Sequence, residues 1–317
     1  MYSNFSKKYL RIKLENQAPL LNSICRINIM MRTQIQQFTS PVSTLDPENT
    51  IHDALFLMQK NDVKRVVIVK NNIPVGIVTE RDVGRFLEND KTVRALDKIT
   101  LDEIMSRSPV TITIGQHDHI EQCAIRMVTF QISSIIVADD EGKLVGITTK
   151  SDLVKNFSNL YTGIYKVKDY MSKKVITCRK SDSLPFALNM LNRNKISRLV
   201  VTDDDGKPIG VISYDTFLRN SEYFKPGKQD TRNYLLPKAS AKELKVGNLI
   251  ADEILTIESE DDLSKAAKLM TKYNVSGIPT VDKDGNLEGM ISSIDIVLAY
   301  NEVETHLRLI KKDPHFS

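Results

Sequence analysis

The chain has 317 residues, 41% of them hydrophobic and 26% charged, with a formal net charge of +4. These values support a substantial buried core and exclude a disordered or collagen-like chain, and no run reaches the roughly 18 uncharged apolar residues of a membrane-spanning helix. Residues 1–34 carry Lys7, Lys8, Arg11, Lys13, Arg26 and Arg32 against Glu15 alone, an excess of +5 that leaves the remainder near −1. A nearly neutral body offers no broad basic face for counterion release, so nucleic-acid binding is not expected of it. The same charges interrupt the apolar stretch that a secretory signal requires, and Met30 and Met31 offer an alternative start. Cys25, Cys123 and Cys178 are odd in number and lack Cys-x-x-Cys spacing. They argue against a disulfide framework or thiolate metal site and for a reducing, cytoplasmic compartment.

In chain order, a basic N-terminal extension (1–34) precedes four similar units at 35–90, 91–160, 161–222 and 243–303. A basic insertion (223–242) interrupts the last two, and a tail (304–317) follows. In the first unit Asp46 is a natural helix N-cap with Pro47 at the first helical position, and Ile51, Ala54, Leu55 and Met58 fall at helical spacing. Arg65 to Lys70 and Ile73 to Thr79 read as strands joined by an Asn71-Asn72 hairpin, and Val83, Phe86 and Leu87 mark a second helix. The order is β-α-β-β-α. The second unit places Ile120, Ala124, Met127 and Val128 on its first helix and Asp139 to Gly142 in its turn. The third repeats this with Leu184, Leu188 and Leu191 before Asp203 to Gly206. In the fourth, Leu263, Ala266, Ala267 and Met270 precede Asp282 to Gly285, and a helix from Ile294 to Ile310 offers Leu298, Val303, Leu307 and Ile310 for packing between subunits.

The units are copies. Gly76-Ile77-Val78-Thr79-Glu80-Arg81-Asp82 returns as Gly146-Ile147-Thr148-Thr149-Lys150-Ser151-Asp152, as Gly210-Val211-Ile212-Ser213-Tyr214-Asp215-Thr216 and as Gly289-Met290-Ile291-Ser292-Ser293-Ile294-Asp295, the glycines 70, 64 and 79 residues apart. Met58, Met127, Leu191 and Met270 each precede by five residues Val63, Ile132, Ile196 or Val275, and a β-branched run follows. Each copy opens with an aliphatic residue and a hydroxyl: Val42-Ser43, Val110-Thr111, Ile176-Thr177 and Leu255-Thr256. A unit of this size buries too little surface to stand alone, so copies are expected to pair.

These residues resemble the cystathionine-β-synthase-type (CBS) domain family, and the resemblance spans about four fifths of the chain. It implies an α/β (α+β) fold in which four repeats pair into two pseudo-twofold Bateman modules, 35–160 and 161–303, with clefts between paired copies. It further implies a regulatory ligand containing adenosine, either AMP, ADP or ATP or else S-adenosylmethionine, and a flat homodimer.

Carried over residue by residue, the resemblance assigns ribose and phosphate contacts to Thr79 with Asp82, Thr149 with Asp152, Ser292 with Asp295, and Ser213. A carboxylate in the first helical turn can accept both ribose hydroxyls, and the hydroxyl before it serves ribose or phosphate. The alternative for each Asp is helix capping, which the same position favours on its own. The third copy departs, with Thr216 at the Asp position and Asp215 one residue early, so its cleft is expected to be weak or empty. Lys64 and Arg65, with Arg198 in copy three, occupy a position that points cations at ligand phosphates, whereas copies two and four have Ser133-Ser134 and Ser276-Gly277. Val42 and Val110 fall in the adenine pocket.

His117-Asp118-His119 lacks the i, i+4 spacing that would converge on one metal ion, and Asp203 to Gly206 and Asp282 to Gly285 lack the glycine and glutamate of a calcium loop. Cys123 and Cys178 read as packed thiols, and no phosphate loop, nucleophile elbow or zinc-protease signature occurs. The expectation is a non-enzymatic sensor. A scaffold that recruits a separate enzyme or transporter is the alternative, motivated by the degraded third copy and the basic insertion.

Overall fold

The computed structural model describes residues 35–89, 94–114, 120–219, 245–251 and 253–312; the basic extension, the basic insertion and His117 to His119 lie outside them. Each unit has the expected β-α-β-β-α order. The first holds β1 (Thr44–Leu45), α1 (Ile51–Lys60), β2 (Arg65–Lys70), β3 (Ile73–Thr79) and α2 (Glu80–Asn89). A short helix α3 (Leu101–Ile104) and strand β4 (Ser106–Arg107) lead to the second, with β5 (Thr111–Thr113), α4 (Ile120–Thr129), β6 (Ser134–Ala138), β7 (Leu144–Thr149) and α5 (Lys150–Leu160). The third comprises β8 (Thr177–Arg179), α6 (Leu184–Arg193), β9 (Arg198–Thr202), β10 (Pro208–Ser213) and α7 (Tyr214–Arg219). The fourth comprises β11 (Ile257–Glu258), α8 (Leu263–Lys272), β12 (Gly277–Val281), β13 (Leu287–Ser292) and α9 (Ser293–Lys312). In every unit the second strand pairs parallel with the first and antiparallel with the third, and β4 adds a fourth strand to the first sheet, antiparallel to β3.

One expectation is corrected at α1, which starts at Ile51 and is capped by Thr50 in a capping box with Asp53. Asp46 and Pro47 form a turn instead, in which the Asn49 N–H donates to Asp46 O (3.1 Å) and Asn49 Oδ1 accepts from the Asp46 N–H (2.8 Å). Proline has the same φ in both settings, so the local sequence suits either.

The first helices end alike, which explains the recurrent five-residue spacing. Asp62, Gln131, Lys195 and Asn274 adopt left-handed φ values of 51°, 53°, 55° and 50°. The next N–H then folds back, from Val63 to Met58 O (2.9 Å), Ile132 to Met127 O (3.1 Å), Ile196 to Leu191 O (3.1 Å) and Val275 to Met270 O (3.0 Å). This Schellman closure holds the two apolar residues together. The aspartate-rich loops are hairpin turns: Asp203 Oδ1 accepts from the N–H groups of Asp205 (3.1 Å) and Lys207 (2.8 Å), and Asp139 and Asp282 do the same.

The recurring glycines answer to another segment of chain. The stretch entering a repeat crosses onto its partner's sheet: Ser40 bridges Ile147, Ser106–Arg107 pairs with Ile77 and Gly76, and Ser172 bridges Met290. A Cβ on Gly146 would lie 2.5 Å from the Ser40 carbonyl oxygen, and one on Gly289 2.9 Å from that of Ser172. The crossing is possible only over a residue without a side chain.

Units 1 and 2 meet sheet to sheet through Val67, Ile136 and Ile147. The larger cores cross between modules. Leu55 and Val83 of unit 1 share one with Leu184 and Phe217 of unit 3, and Phe157 and Tyr161 of unit 2 share the other with Ala266, Tyr300 and Val303 of unit 4. Tyr161 lies 5.5 Å from Phe157 and 5.6 Å from Tyr300, centroid to centroid, and its hydroxyl donates to Glu304. Tilted aromatic pairs of this kind add about 0.5–1.5 kcal/mol each beyond area burial. On α9, Val303 and Leu307 are buried within the chain's own core, while Leu298 faces outward, 37% exposed. Val303 and Leu307, two of the four positions expected to pack between subunits, are thus covered inside one chain, and the Ile310 side chain lies outside the described ones.

Candidate functional site

Strand register sets the site. Thr79 pairs opposite Arg65 at the start of β2, and Ser213 pairs opposite Arg198 at the start of β9. Thr149 and Ser292 pair opposite Ser134 and Gly277, beside Ser133 and Ser276. Every strand-to-helix junction therefore faces either an arginine or a small residue.

Asp82, Asp152 and Asp295 cap their helices. The Thr79 N–H and Oγ1 both donate to Asp82 Oδ2 (2.9 and 2.6 Å), those of Thr149 to Asp152 Oδ2 (2.7 Å each), and the Ser292 N–H and Oγ to Asp295 Oδ2 (2.8 and 2.7 Å). Capping occupies one oxygen of each carboxylate, and Oδ1 has no hydrogen bond among the described residues. In unit 3 the cap is neutral, with the Ser213 N–H donating to Thr216 Oγ1 at 3.1 Å. Tyr214 is buried there, its hydroxyl bonded to Asn192 and its ring against Gly84, where a Cβ would lie 2.8 Å from the ring.

The cations converge from three units. Arg65 Nη1 donates to the Ser133 carbonyl (3.0 Å), which also accepts the Lys150 backbone N–H (3.1 Å). Arg198 donates to the Ser276 hydroxyl, Nε at 3.1 Å, and Arg81 donates to the Ser197 hydroxyl. Burial lowers the Arg65 pKa against the pull of Glu80 and Asp152. Burial also brings Arg198 down to about 10, with Asp295 opposing and Arg81 adding to the shift. Lys150, half-buried, falls to about 8 through burial and then through Arg198, Arg65 and Arg81, against the attraction of Asp295. Burial raises Asp295, opposed by its Ser292 bonds, Arg198 and Lys150. All four units contribute charge to this junction.

Of the residues singled out in the sequence, the structure gathers Arg65, Arg198, Asp152 and Asp295, with Thr149 and Ser292 fixing the carboxylates and Thr79 and Ser213 beside the arginines. Lys64 stays apart. Its carbonyl accepts the Glu80 N–H (3.2 Å), but its ammonium makes no hydrogen bond or ion pair among the described residues. Val42 is half-buried on the sheet interface, and Val110 on the core of units 2 and 4, its carbonyl accepting the Ile136 N–H (3.1 Å). Lys150 and Arg81 were not foreseen. A signal existed, because a cation in the first turn of a helix opposes the helix dipole and calls for an anion nearby. A cleft of about 450 Å³ lined by Pro47, Lys70, Val75, Met105 and Arg107 lies at the far end of β2 and β3 and shares no residue with the junction. Among the described residues, no helix is long and apolar enough to cross a membrane, and no three His, Cys, Asp or Glu side chains are grouped to hold a metal ion.

The family model of the CBS domain matches residues 33–89, 101–159, 167–223 and 246–302. Two uncharacterised proteins of Methanocaldococcus jannaschii are similar over most of the chain. MJ1404 is 24% identical over 304 residues, 92% of this chain and 68% of that protein. MJ1225 is 22% identical over 272 residues, 81% of this chain and 94% of that one. The crystal structure of MJ1225, described as a candidate archaeal homologue of g-AMPK, matches with a TM-score of 0.73 at 21% identity, covering 84% of this chain and 100% of that chain. A conserved protein of Pyrococcus horikoshii matches with a TM-score of 0.59 at 18% identity, covering 84% and 100%.

Proposed function

The chain belongs to the CBS-domain family, and from that premise we propose that it is a non-enzymatic regulatory protein that binds a phosphate-bearing adenosine ligand, AMP, ADP or ATP, at the junction of its four repeats. The observation that carries this reading is the convergence of Arg65, Arg81, Lys150 and Arg198 on one half-buried region, where burial first and then the three arginines lower the lysine pKa. Like charges held together out of water are unfavourable until an anion joins them. A phosphate supplies that anion and accepts charge-assisted hydrogen bonds from the arginines. The open Oδ1 atoms of Asp82, Asp152 and Asp295 suit ribose hydroxyls, while the neutral cap and buried Tyr214 make unit 3 the weakest contributor. S-adenosylmethionine, which carries no phosphate, fits the cations poorly.

Because the junction takes groups from both modules, ligand favours arrangements in which the modules close on it, and unequal affinity for two arrangements is what regulation requires. One chain already pairs its modules, so the reading needs no second copy. Cys123 and Cys178 are buried, and burial pushes Cys178 up to about 12, which suits packing in a reducing cytoplasm rather than nucleophilic chemistry.

Isothermal titration of ligand-free protein with AMP, ATP and S-adenosylmethionine tests the proposal. The expected result is micromolar binding of a phosphate-bearing ligand, weakened about ten- to a hundredfold in Arg198→Gln, the worth of a charge-assisted bond. Asp152→Asn keeps a capping oxygen and removes the charge. Its effect on binding then separates ribose recognition from helix capping. No heat with any of the three ligands sinks the sensor and makes recruitment of a protein partner the leading role.

A further inference from the structure

Lys150 stands at the position after the junction hydroxyl, which the other repeats fill with Glu80, Tyr214 and Ser293. Only unit 2 places an amine there. Its backbone N–H shares the Ser133 carbonyl with Arg65 Nη1 (3.1 and 3.0 Å), so the guanidinium of that arginine ends where the lysine side chain begins. The side chain is half-buried and remains within reach of a small reagent. Arg65, Arg81 and Arg198 act on it from units 1 and 3, and Asp295 from unit 4. A primary amine thus sits beside an arginine-lined anion site.

We propose that Lys150 is a site of covalent acylation by small acyl phosphates, whose phosphoryl group the arginines hold while the lysine amine takes the acyl group. The proposal rests on the anion-binding reading of the junction. In the step, the Nζ lone pair attacks the acyl carbon and a C–N bond forms. The bond from acyl carbon to phosphate oxygen breaks, and phosphate leaves with that electron pair, stabilised by the guanidinium groups. The amine proton passes to the departing phosphate, giving an amide and hydrogen phosphate. No oxidant or further reactant is needed.

Two effects drive the selectivity. Before an anion binds, burial and the three arginines bring Lys150 down to about 8, so far more of it is free amine at pH 8 than of an ordinary lysine at about 10.4, and a bound phosphoryl group takes back part of that advantage. Lower basicity costs part of the intrinsic nucleophilicity, as it does for thiols, which leaves a gain of about tenfold before any anchoring by the arginines. The amide carries no charge, so acylation removes one of four cations and lowers affinity for nucleotide phosphate. Metabolic acyl phosphate would thereby be recorded on the same centre that reads nucleotide.

The full chain is treated at pH 8 with acetyl phosphate, and in parallel with a neutral acetyl ester, and acetylation of Lys150 is quantified by mass spectrometry against exposed Lys155 on the same helix. The expected result is a Lys150 preference above about tenfold with acetyl phosphate, a smaller preference with the ester, and suppression of the former by AMP. Equal rates at Lys150 and Lys155 with acetyl phosphate overturn the proposal, as does an identical preference with both reagents. AMP titration of the untreated sample reads the nucleotide site separately. Binding without a Lys150 preference ends the acylation proposal alone, and a Lys150 preference without AMP binding ends the nucleotide reading alone.

Discussion

Lys150 acts on stability and on binding with opposite signs. An unfolded lysine titrates near about 10.4, whereas Lys150 in the fold titrates near about 8. Between those values the unfolded chain holds more protons, so this residue's contribution to stability improves as pH rises from about 8 to about 10.4 and is least favourable below about 8. Lys150→Gln is therefore expected to raise Tm at pH 7, with the difference from wild type closing toward pH 10. An unchanged or lower Tm at pH 7 means that the charge is not strained. Binding runs the other way, because a bound phosphate raises the lysine pKa. Nucleotide affinity should hold below pH 8 and fall by up to about tenfold per unit above it, with proton uptake at pH 8 visible as a buffer-dependent heat in titration calorimetry. Arg65 and Arg198 were legible in the sequence because they recur at one position of the repeat. Lys150 was not, since its counterparts are Glu80, Tyr214 and Ser293 and the amine does not recur.

At the level of elements, the helices and strands were readable because each copy carries its own periodicity, and the hairpins because Asn-Asn and Asp-x-x-Gly state the turn chemistry locally. The reason for the recurring glycine was not, because the group pressing on it comes from the segment that enters the partner repeat. Gly146 and Gly142, four residues before it in β7's hairpin, separate the two uses of glycine. A Cβ on Gly146 meets the Ser40 carbonyl oxygen at 2.5 Å and Thr39 Cγ2 at 2.6 Å, while one on Gly142 meets nothing within 4 Å and only the φ of +77° opposes it. Gly146→Ala should cost about 1–3 kcal/mol by overpacking, and Gly142→Ala about 1 kcal/mol by backbone strain alone. Urea denaturation midpoints decide the matter, and a Gly146 loss no greater than that at Gly142 removes the crossing strand as the cause. The start of α1 shows the same limit on a smaller scale: Asp46-Pro47 suits a turn and a helix start equally, and Thr50 prevails because Asp53 completes its capping box.

For the whole molecule, the pairing of consecutive repeats followed from their size, but the partner for each module's helical face did not, since apolar helix positions look the same whether a second copy or the same chain covers them. The structure covers them within the chain. Leu153, Val154, Phe157 and Tyr161 of unit 2 are at most 2% exposed in a core shared with unit 4, and Val83 of unit 1 lies in the core shared with unit 3. A single module would present both apolar faces to water, and contiguous apolar surface of that kind is rare on soluble monomers. The full chain is therefore expected to run as a monomer near 35.9 kDa in light scattering and to unfold in one transition, because neither core belongs to one module. Residues 35–160 expressed alone should dimerise through these faces or aggregate. Phe157→Ala, about 3–5 kcal/mol destabilising in the full chain, should weaken that dimer as well. A stable monomeric module, or a full chain that melts in two separate steps, would mean that the two modules touch without sharing a core, and a ligand at their junction would then have little to hold closed.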